Sequence, residues 1–279
     1  DDEKHSNRIF ISSLLIFLST MTLATMSQHM GLLWIAIEAT TLFSAPLINF
    51  YRSPRSVEAT WKYLLICSVG IALALLGTLF LAVASPGSGT VFLGAILNNA
   101  SQLSIPWLKL SVIFLFVGYG TKMGLAPMHT WLPDAHSEAP SPISALLSGV
   151  LLNCAFLGIL RVFQICVAAG QTAFAQDLFL MMGLLSLVIA AIFVVGQKDY
   201  KRMFAYSSVE NMGILALGMG LGGIGLYGSL FHAVNNAFAK SMVFLVTGNL
   251  YQIYQSKKIS DIKGLLHHYP VTGIFLVIG

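Results

Sequence analysis

The sequence predicts an all-α fold: a polytopic bundle of helices that cross a membrane. Three observations predict it. First, 56% of the 279 residues are hydrophobic and only 9% are charged, against about 25% charged in ordinary soluble domains. Second, the apolar residues come in runs of about 20, the length a helix needs to cross the hydrocarbon layer. Third, the basic residues fall almost wholly on one side once those runs are threaded back and forth.

Eight runs are long enough to span, at 9–26, 31–50, 61–83, 107–127, 143–167, 178–195, 203–221 and 228–251, and a ninth begins near Val271. Threading them places Lys4, Arg8, Arg52, Arg55, Lys62, Lys198, Lys201, Arg202, Lys257, Lys258 and Lys263 on one side. Only Lys109 and Arg161 fall on the other. The basic side is the cytoplasmic one by the positive-inside rule. A missed span would scramble this asymmetry, so the charge count also checks the span count. The uncharged stretch 85–104 reads as an outer loop with a short surface helix around 91–97. The chain starts at Asp1 without a methionine and stops at Gly279 within an apolar run. It is therefore expected to be a fragment of a larger subunit.

Several function classes drop out. The sequence pI of about 9.0 suggests nucleic acid, but the basic residues sit in short clusters between apolar runs and form no amphipathic face. Cys67, Cys154 and Cys166 lie in or beside apolar runs without CxxC spacing, so neither a disulfide framework nor an iron–sulfur or zinc site is expected. No phosphate loop, dinucleotide fingerprint or HExxH motif is present. The chain is expected to carry no cofactor, no metal and no redox chemistry of its own.

The informative residues are the charges inside the spans. Each costs at least about 2.5–3.5 kcal/mol to bury in a bilayer, so it faces protein or water and marks a pathway by default. Glu38 is the only charge in the second span. Lys122 lies about 20 Å along the fourth at 1.5 Å per residue, among Gly118, Gly120, Gly124 and Pro127. Pro127 is expected to break that helix. A break at membrane depth survives only where protein or water satisfies the freed backbone groups. Lys240 shares one face of the eighth span with His232 and Asn236, at i, i+4 and i+8. Titratable groups joined by hydrogen-bonding ones are what a proton relay needs.

Weaker candidates follow. Glu210 is either a second buried carboxylate or a partner for Lys201 or Arg202. His129, Asp134, His136 and Glu138 form either a cytoplasmic proton vestibule or a set of caps and mutual ion pairs. Asn153, with Ser144 or Ser148, is placed to hold water between Lys122 and the eighth span. Glu58 and Lys62, at i and i+4, read as an interfacial pair.

Three stretches then carry a resemblance. GTKMGLAPMHTWLPDAHSEAPSPISALLSG closely resembles the core signature of the antiporter-like proton-channel subunits. That family includes the large membrane subunits of respiratory complex I, the Mrp-type antiporters and the energy-converting hydrogenases. QKDYKRMFAYSSVENMGILALG and FHAVNNAFAKSMVFLVTGN resemble two further segments of it. The likeness runs from the second span to Gly279, and it is greatest to the F-type membrane subunit of hydrogenase-4-type complexes.

The resemblance implies two inverted five-helix repeats. Residues 1–170 would be the first, with its broken helix around 107–136, and 171–279 the truncated start of the second. Glu38 matches the family's buried glutamate, Lys122 its partner lysine, and His232 and Lys240 the central relay. Two positions depart from the pattern: Asn153 where several relatives carry lysine or histidine, and Asn236 where some carry a second histidine.

The implied function is proton translocation in a redox-driven complex, in the inner membrane of a bacterium or archaeon, with other membrane and peripheral subunits as partners. A Glu38–Lys122 ion pair at about 4 Å and an effective dielectric near 20 has about 4 kcal/mol to switch the protonation of the lysine. The alternatives are a stand-alone or Mrp-type sodium/proton antiporter subunit and a structural membrane subunit whose charges pack helices.

Overall fold

The computed structural model describes residues 2–85 and 91–279. Among them the fold is all-α, with two isolated β-bridges, His29 to Phe92 and Asp199 to Lys258. The long helices are α1 (Asp2–Met26), α2 (Met30–Ile48) and α3 (Pro54–Ala84), followed by a short outer helix α4 (Leu93–Asn98) and then α5 (Ile105–Met123). After the break come α6 (Trp131–Glu138), α7 (Ser141–Leu146) and α8 (Leu152–Ala168). The second half holds α9 (Thr172–Val195), α10 (Tyr200–Leu221) and α11 (Ile224–Tyr254), with α12 (Leu265–His268) and α13 (Pro270–Ile278) at the end. All the expected spans are present as helices. The helix predicted at 91–97 is α4, and residues 86–90 of the predicted outer loop lie outside the described residues.

Among the described residues six helical segments are long and apolar enough to cross a membrane: Asn7–Met26, Met30–Ile48, Pro54–Ala84, Ile105–Glu138, Ser141–Ala168 and Thr172–Val195. The protein is a multi-pass membrane protein. Helices α10 and α11 have the length but are diluted by Ser207, Ser208, Glu210 and Asn211 and by His232, Asn235, Asn236 and Lys240. Their polar residues are the reason the site described below exists.

Local chemistry sets the helix ends. Ser53 caps α3 by accepting from Ser56 N at 3.0 Å, with Pro54 at the first helical position, where a missing N–H costs nothing. Asp199 caps α10 by accepting from the N–H groups of Lys201 (2.8 Å) and Arg202 (3.0 Å), and its carboxylate faces the positive end of the helix dipole.

The break in the fourth span falls earlier than the sequence suggests. Pro127 is not the residue that stops α5. The helix ends at Met123, and Gly124 (φ +83°) turns the chain in the left-handed conformation, which glycine adopts without steric cost. Pro127 follows in a non-helical linker, ahead of a 3₁₀ turn at Met128–Thr130. The freed backbone groups are satisfied within protein. Leu125 N donates to Gly120 O at 2.9 Å, Ala126 N to Ser186 Oγ of α9 at 2.9 Å, and Trp131 Nε1 to Thr121 O at 2.9 Å. The fifth span also holds a π turn, at Leu147–Leu151 between α7 and α8.

Glycines let two helix pairs approach closely, one in each half. A Cβ on Gly118 of α5 would lie 2.6 Å from Ala74 N and from Gly70 O of α3. A Cβ on Gly183 of α9 would lie 2.8 Å from Leu217 N of α10. In lipid there is no hydrophobic drive between helices, so small residues that admit close packing supply much of the association energy. Large apolar side chains such as Leu65, Val69, Ile192 and Phe238 point outward, as a lipid-facing surface requires.

Candidate functional site

Lys122 lies in the last turn of α5, at the break, and is fully buried. Its Nζ donates to Thr41 Oγ1 of α2 at 2.8 Å and to Tyr63 OH of α3 at 2.5 Å. It also lies 4.5 Å from the centre of the Tyr63 ring and 5.9 Å from that of Trp131, within the range of cation–π attraction. The expected direct ion pair with Glu38 is not made. Glu38 sits one turn before Thr41 on α2 and accepts from Ser68 Oγ of α3 at 3.2 Å, while its Oε2 is buried without a hydrogen-bond partner. The two groups line the same α2–α3–α5 interface, but neutral hydroxyls hold the ammonium. The reason is geometric: Thr41 and Tyr63 present oxygens at the break itself, whereas Glu38 is a helical turn away.

A second cluster joins α10 and α11. His232 Nε2 lies 2.9 Å from Asn211 Oδ1. Asn211 Nδ2 reaches Ser207 Oγ at 3.5 Å, and the same Ser207 Oγ accepts from Lys240 Nζ at 2.7 Å. His232 and Lys240 are therefore linked through α10 side chains and not along α11 alone. Asn236, placed between them by the sequence, is buried with its Nδ2 unpaired. The i, i+4 spacing of Ser207 and Asn211 matches that of His232, Asn236 and Lys240 on the facing helix. That register was the available signal for Ser207 and Asn211, which a search for charges passes over. Glu210 lies on the exposed face of α10, and neither Lys201 nor Arg202 pairs with it.

Between the two clusters lies α8. Asn153 donates to Gly149 O at 2.9 Å within the π turn, and its Oδ1 is buried without a partner. Ser148 bonds Ser208 of α10 at 2.7 Å, and Ser144 donates to His136 O at 2.8 Å. Among the described residues no continuous chain of direct side-chain hydrogen bonds connects Lys122 to Lys240. A π turn leaves backbone carbonyls out of the regular ladder and is often found where a helix carries function.

The residues after the break divide into two groups. Asp134 is paired with Lys62 of α3 at 3.1 Å and with Arg202 of α10 at 3.0 Å, and Lys62 also holds Glu58 at 2.7 Å. Glu138 pairs with Lys257 at 3.3 Å. These carboxylates act as clamps between the two halves. His129 and His136 are buried, with His129 Nδ1 and His136 Nε2 unpaired. His129, Asp134 and Arg202 line a cavity of about 510 Å³. Lys62, Arg202 and Lys257 thus meet on one face, the one to which the charge count assigns them.

Arg161 lies inside the fifth span, as the sequence reading has it, towards the end that packs against the last turn of α1. It is buried in α8 and donates through Nη2 to Thr25 O of α1 at 2.9 Å.

The family described as NADH:quinone oxidoreductase/Mrp antiporter, TM, matches residues 27–279. The chain is 42% identical to "Hydrogenase-4 component F homolog" of Methylacidiphilum infernorum, an alignment covering 98% of this chain and 59% of that protein. It is 29% identical to "NADH-quinone oxidoreductase subunit N" of Desulforudis audaxviator, covering 86% of this chain and 48% of that one. Among solved structures, a chain of the archaeal membrane-bound sulfane sulfur reductase superposes with a TM-score of 0.89 at 25% identity, covering 95% of this chain and 54% of the other. The chain therefore spans 59% and 48% of the length of those two curated relatives.

Proposed function

Because the chain belongs to the NADH:quinone oxidoreductase/Mrp antiporter transmembrane family, we propose that it is the proton-translocating part of a membrane subunit in a redox-driven complex of the hydrogenase-4 or NADH:quinone type. The observation that carries this reading is a pair of buried lysines inside long helices, each held by neutral oxygens: Lys122 by Thr41 and Tyr63, and Lys240 by Ser207. No carboxylate forms an ion pair with either one among the described residues. A lysine desolvated in this way has its protonation set by small movements of nearby charge. Glu38, a turn from Thr41, is the charge placed to do this.

In this reading Lys122 exchanges its proton as its ammonium moves between the hydroxyls and Glu38. The proton then crosses the α8 region by way of water near Asn153 and Asn236, whose unpaired amide atoms are an acceptor and a donor. It reaches Lys240, and water beside the α10 side chains carries it on to His232, with Ser207 and Asn211 holding the two titratable groups in position. Residues 1–170 form the first repeat and 171–279 the beginning of the second. Electron transfer in partner membrane and peripheral subunits supplies the energy, and the complex resides in the cytoplasmic membrane of a bacterium or archaeon.

The test is proton uptake by inverted membrane vesicles that contain the assembled complex, driven by its electron donor. Uptake is expected to persist unchanged when sodium is replaced by potassium. Uptake that stops without sodium, with sodium moved in its place, overturns the proton reading. A second measurement probes the α10 bridge. Ser207→Ala removes the acceptor of Lys240 and is expected to lower proton uptake per electron at least about tenfold, in line with the loss of a hydrogen bond to a charged group. Uptake at the wild-type ratio would remove Ser207 from the route.

A further inference from the structure

The partners of Lys122 lead away from Glu38, towards the basic face. Tyr63 OH, which accepts from Lys122 Nζ, also lies 2.6 Å from Ser44 Oγ of α2. Ser44 is one turn nearer than Thr41 to the end of α2 that carries Asn49, Arg52 and Arg55. On α3, Ser56, Thr60 and Tyr63 recur at i, i+4 and i+7 and are all buried, so they share one face. Ser56 Oγ donates to Asn49 Oδ1 at 3.1 Å, which closes the same α2–α3 seam at its rim. The seam is thus polar from the basic face up to the break in α5.

Hydroxyls in membrane helices often bond only to the carbonyl one turn back. Ser44 makes that bond too, to Thr40 O at 2.6 Å. The Lys122–Tyr63–Ser44 contacts differ because they run between three helices, and each hydroxyl has one proton to give and lone pairs to accept another. Such a chain carries protons without storing charge.

We propose that Tyr63 and Ser44 form the uptake route that reloads Lys122 from the basic face. The proposal rests on the reading that Lys122 carries the translocated proton. After Lys122 has passed its proton on, its neutral amine takes the Tyr63 hydroxyl proton. Tyr63 takes the proton of Ser44, and Ser44 takes one from a hydronium ion on the Asn49–Ser56 side. The net change is one hydronium converted to water and one amine converted to ammonium. The hydroxyls rotate back before the next transfer. The His129–Asp134 cavity is then not needed for loading Lys122.

The experiment compares proton uptake per electron, and its solvent deuterium isotope effect, in vesicles with the assembled complex carrying Tyr63→Phe, Ser44→Ala, Thr78→Val or Lys122→Met. Tyr63→Phe keeps the ring against Lys122 and Trp131 and removes only the hydroxyl. Thr78→Val removes a buried hydroxyl of α3 that bonds only Ala74 O. Tyr63→Phe and Ser44→Ala are each expected to lower uptake about fivefold or more, as for loss of a positioned proton-transfer group, and to enlarge the isotope effect. Thr78→Val is expected to leave both unchanged. Normal uptake in Tyr63→Phe or in Ser44→Ala, with Lys122→Met inactive, overturns the hydroxyl route and leaves Lys122 in place. Normal uptake in Lys122→Met overturns the reading on which the route rests, and the route with it.

Discussion

Replacing Lys122 with methionine is expected to cut proton translocation by the assembled complex at least about tenfold, equivalent to about 1.4 kcal/mol in an effective barrier. The helix bundle is expected to stay intact. Lys122 is fully buried and has only hydroxyl and aromatic partners. Methionine has a similar length, lies comfortably against aromatic rings, and removes the cost of burying an amine. The hydroxyls of Thr41 and Tyr63 keep other partners, Ile37 O and Ser44 respectively, so no buried group is stranded. A loss of pumping with a normal amount of complex therefore reports chemistry and not folding. Proton uptake and electron transfer measured on the same vesicles separate the two. Undiminished uptake would mean that Lys122 is a packing residue.

Gly118→Val should produce the largest structural effect. Its Cβ would fall 2.6 Å from backbone and side-chain atoms of α3, far inside van der Waals contact. The neighbours include the backbone atoms Ala74 N and Gly70 O, which cannot turn aside as a flexible side chain does. Helices α3 and α5 must then separate, and overpacking of this kind costs about 1–3 kcal/mol, more where backbone is struck. The displaced pair carries Tyr63 and Lys122, so any subunit that assembles should also pump poorly. The amount of subunit in the complex and the melting temperature of the purified complex measure the first effect. Wild-type levels and melting would show that the helices are not held in close contact at this point.

Much of the site was legible because it is charged. Glu38, Lys122 and Lys240 stand out against apolar runs through the cost of burying them, and the break beside Lys122 is announced by glycines and a proline. Tyr63, Thr41, Ser207 and Asn211 were not legible in the same way. A hydroxyl or amide in a membrane helix can be satisfied by its own backbone, so its presence carries no penalty that demands explanation. The direct Glu38–Lys122 pair was expected because opposite charges attract. It is absent because a helical turn separates the carboxylate from the oxygens that meet the ammonium. Arg161, read within the fifth span, is accommodated inside α8 because its long side chain bonds the end of a neighbouring helix.

The sequence by itself determined the all-α membrane class, the order of the long apolar helices, and which ionisable groups stand within them. These follow from the composition of continuous stretches, and each stretch carries its own burial cost. Only the tertiary structure decided what each buried group touches. Lys122 finds Thr41 and Tyr63 across 81 and 59 residues of chain, and Lys240 finds Ser207 across 33. The first depends on the close approach of α3 and α5 at Gly70 and Gly118 and on the left-handed turn at Gly124, the second on the close approach of α10 and α11 at Gly218 and Gly225. Helical periodicity shows which residues share a face, but which faces meet is settled by packing.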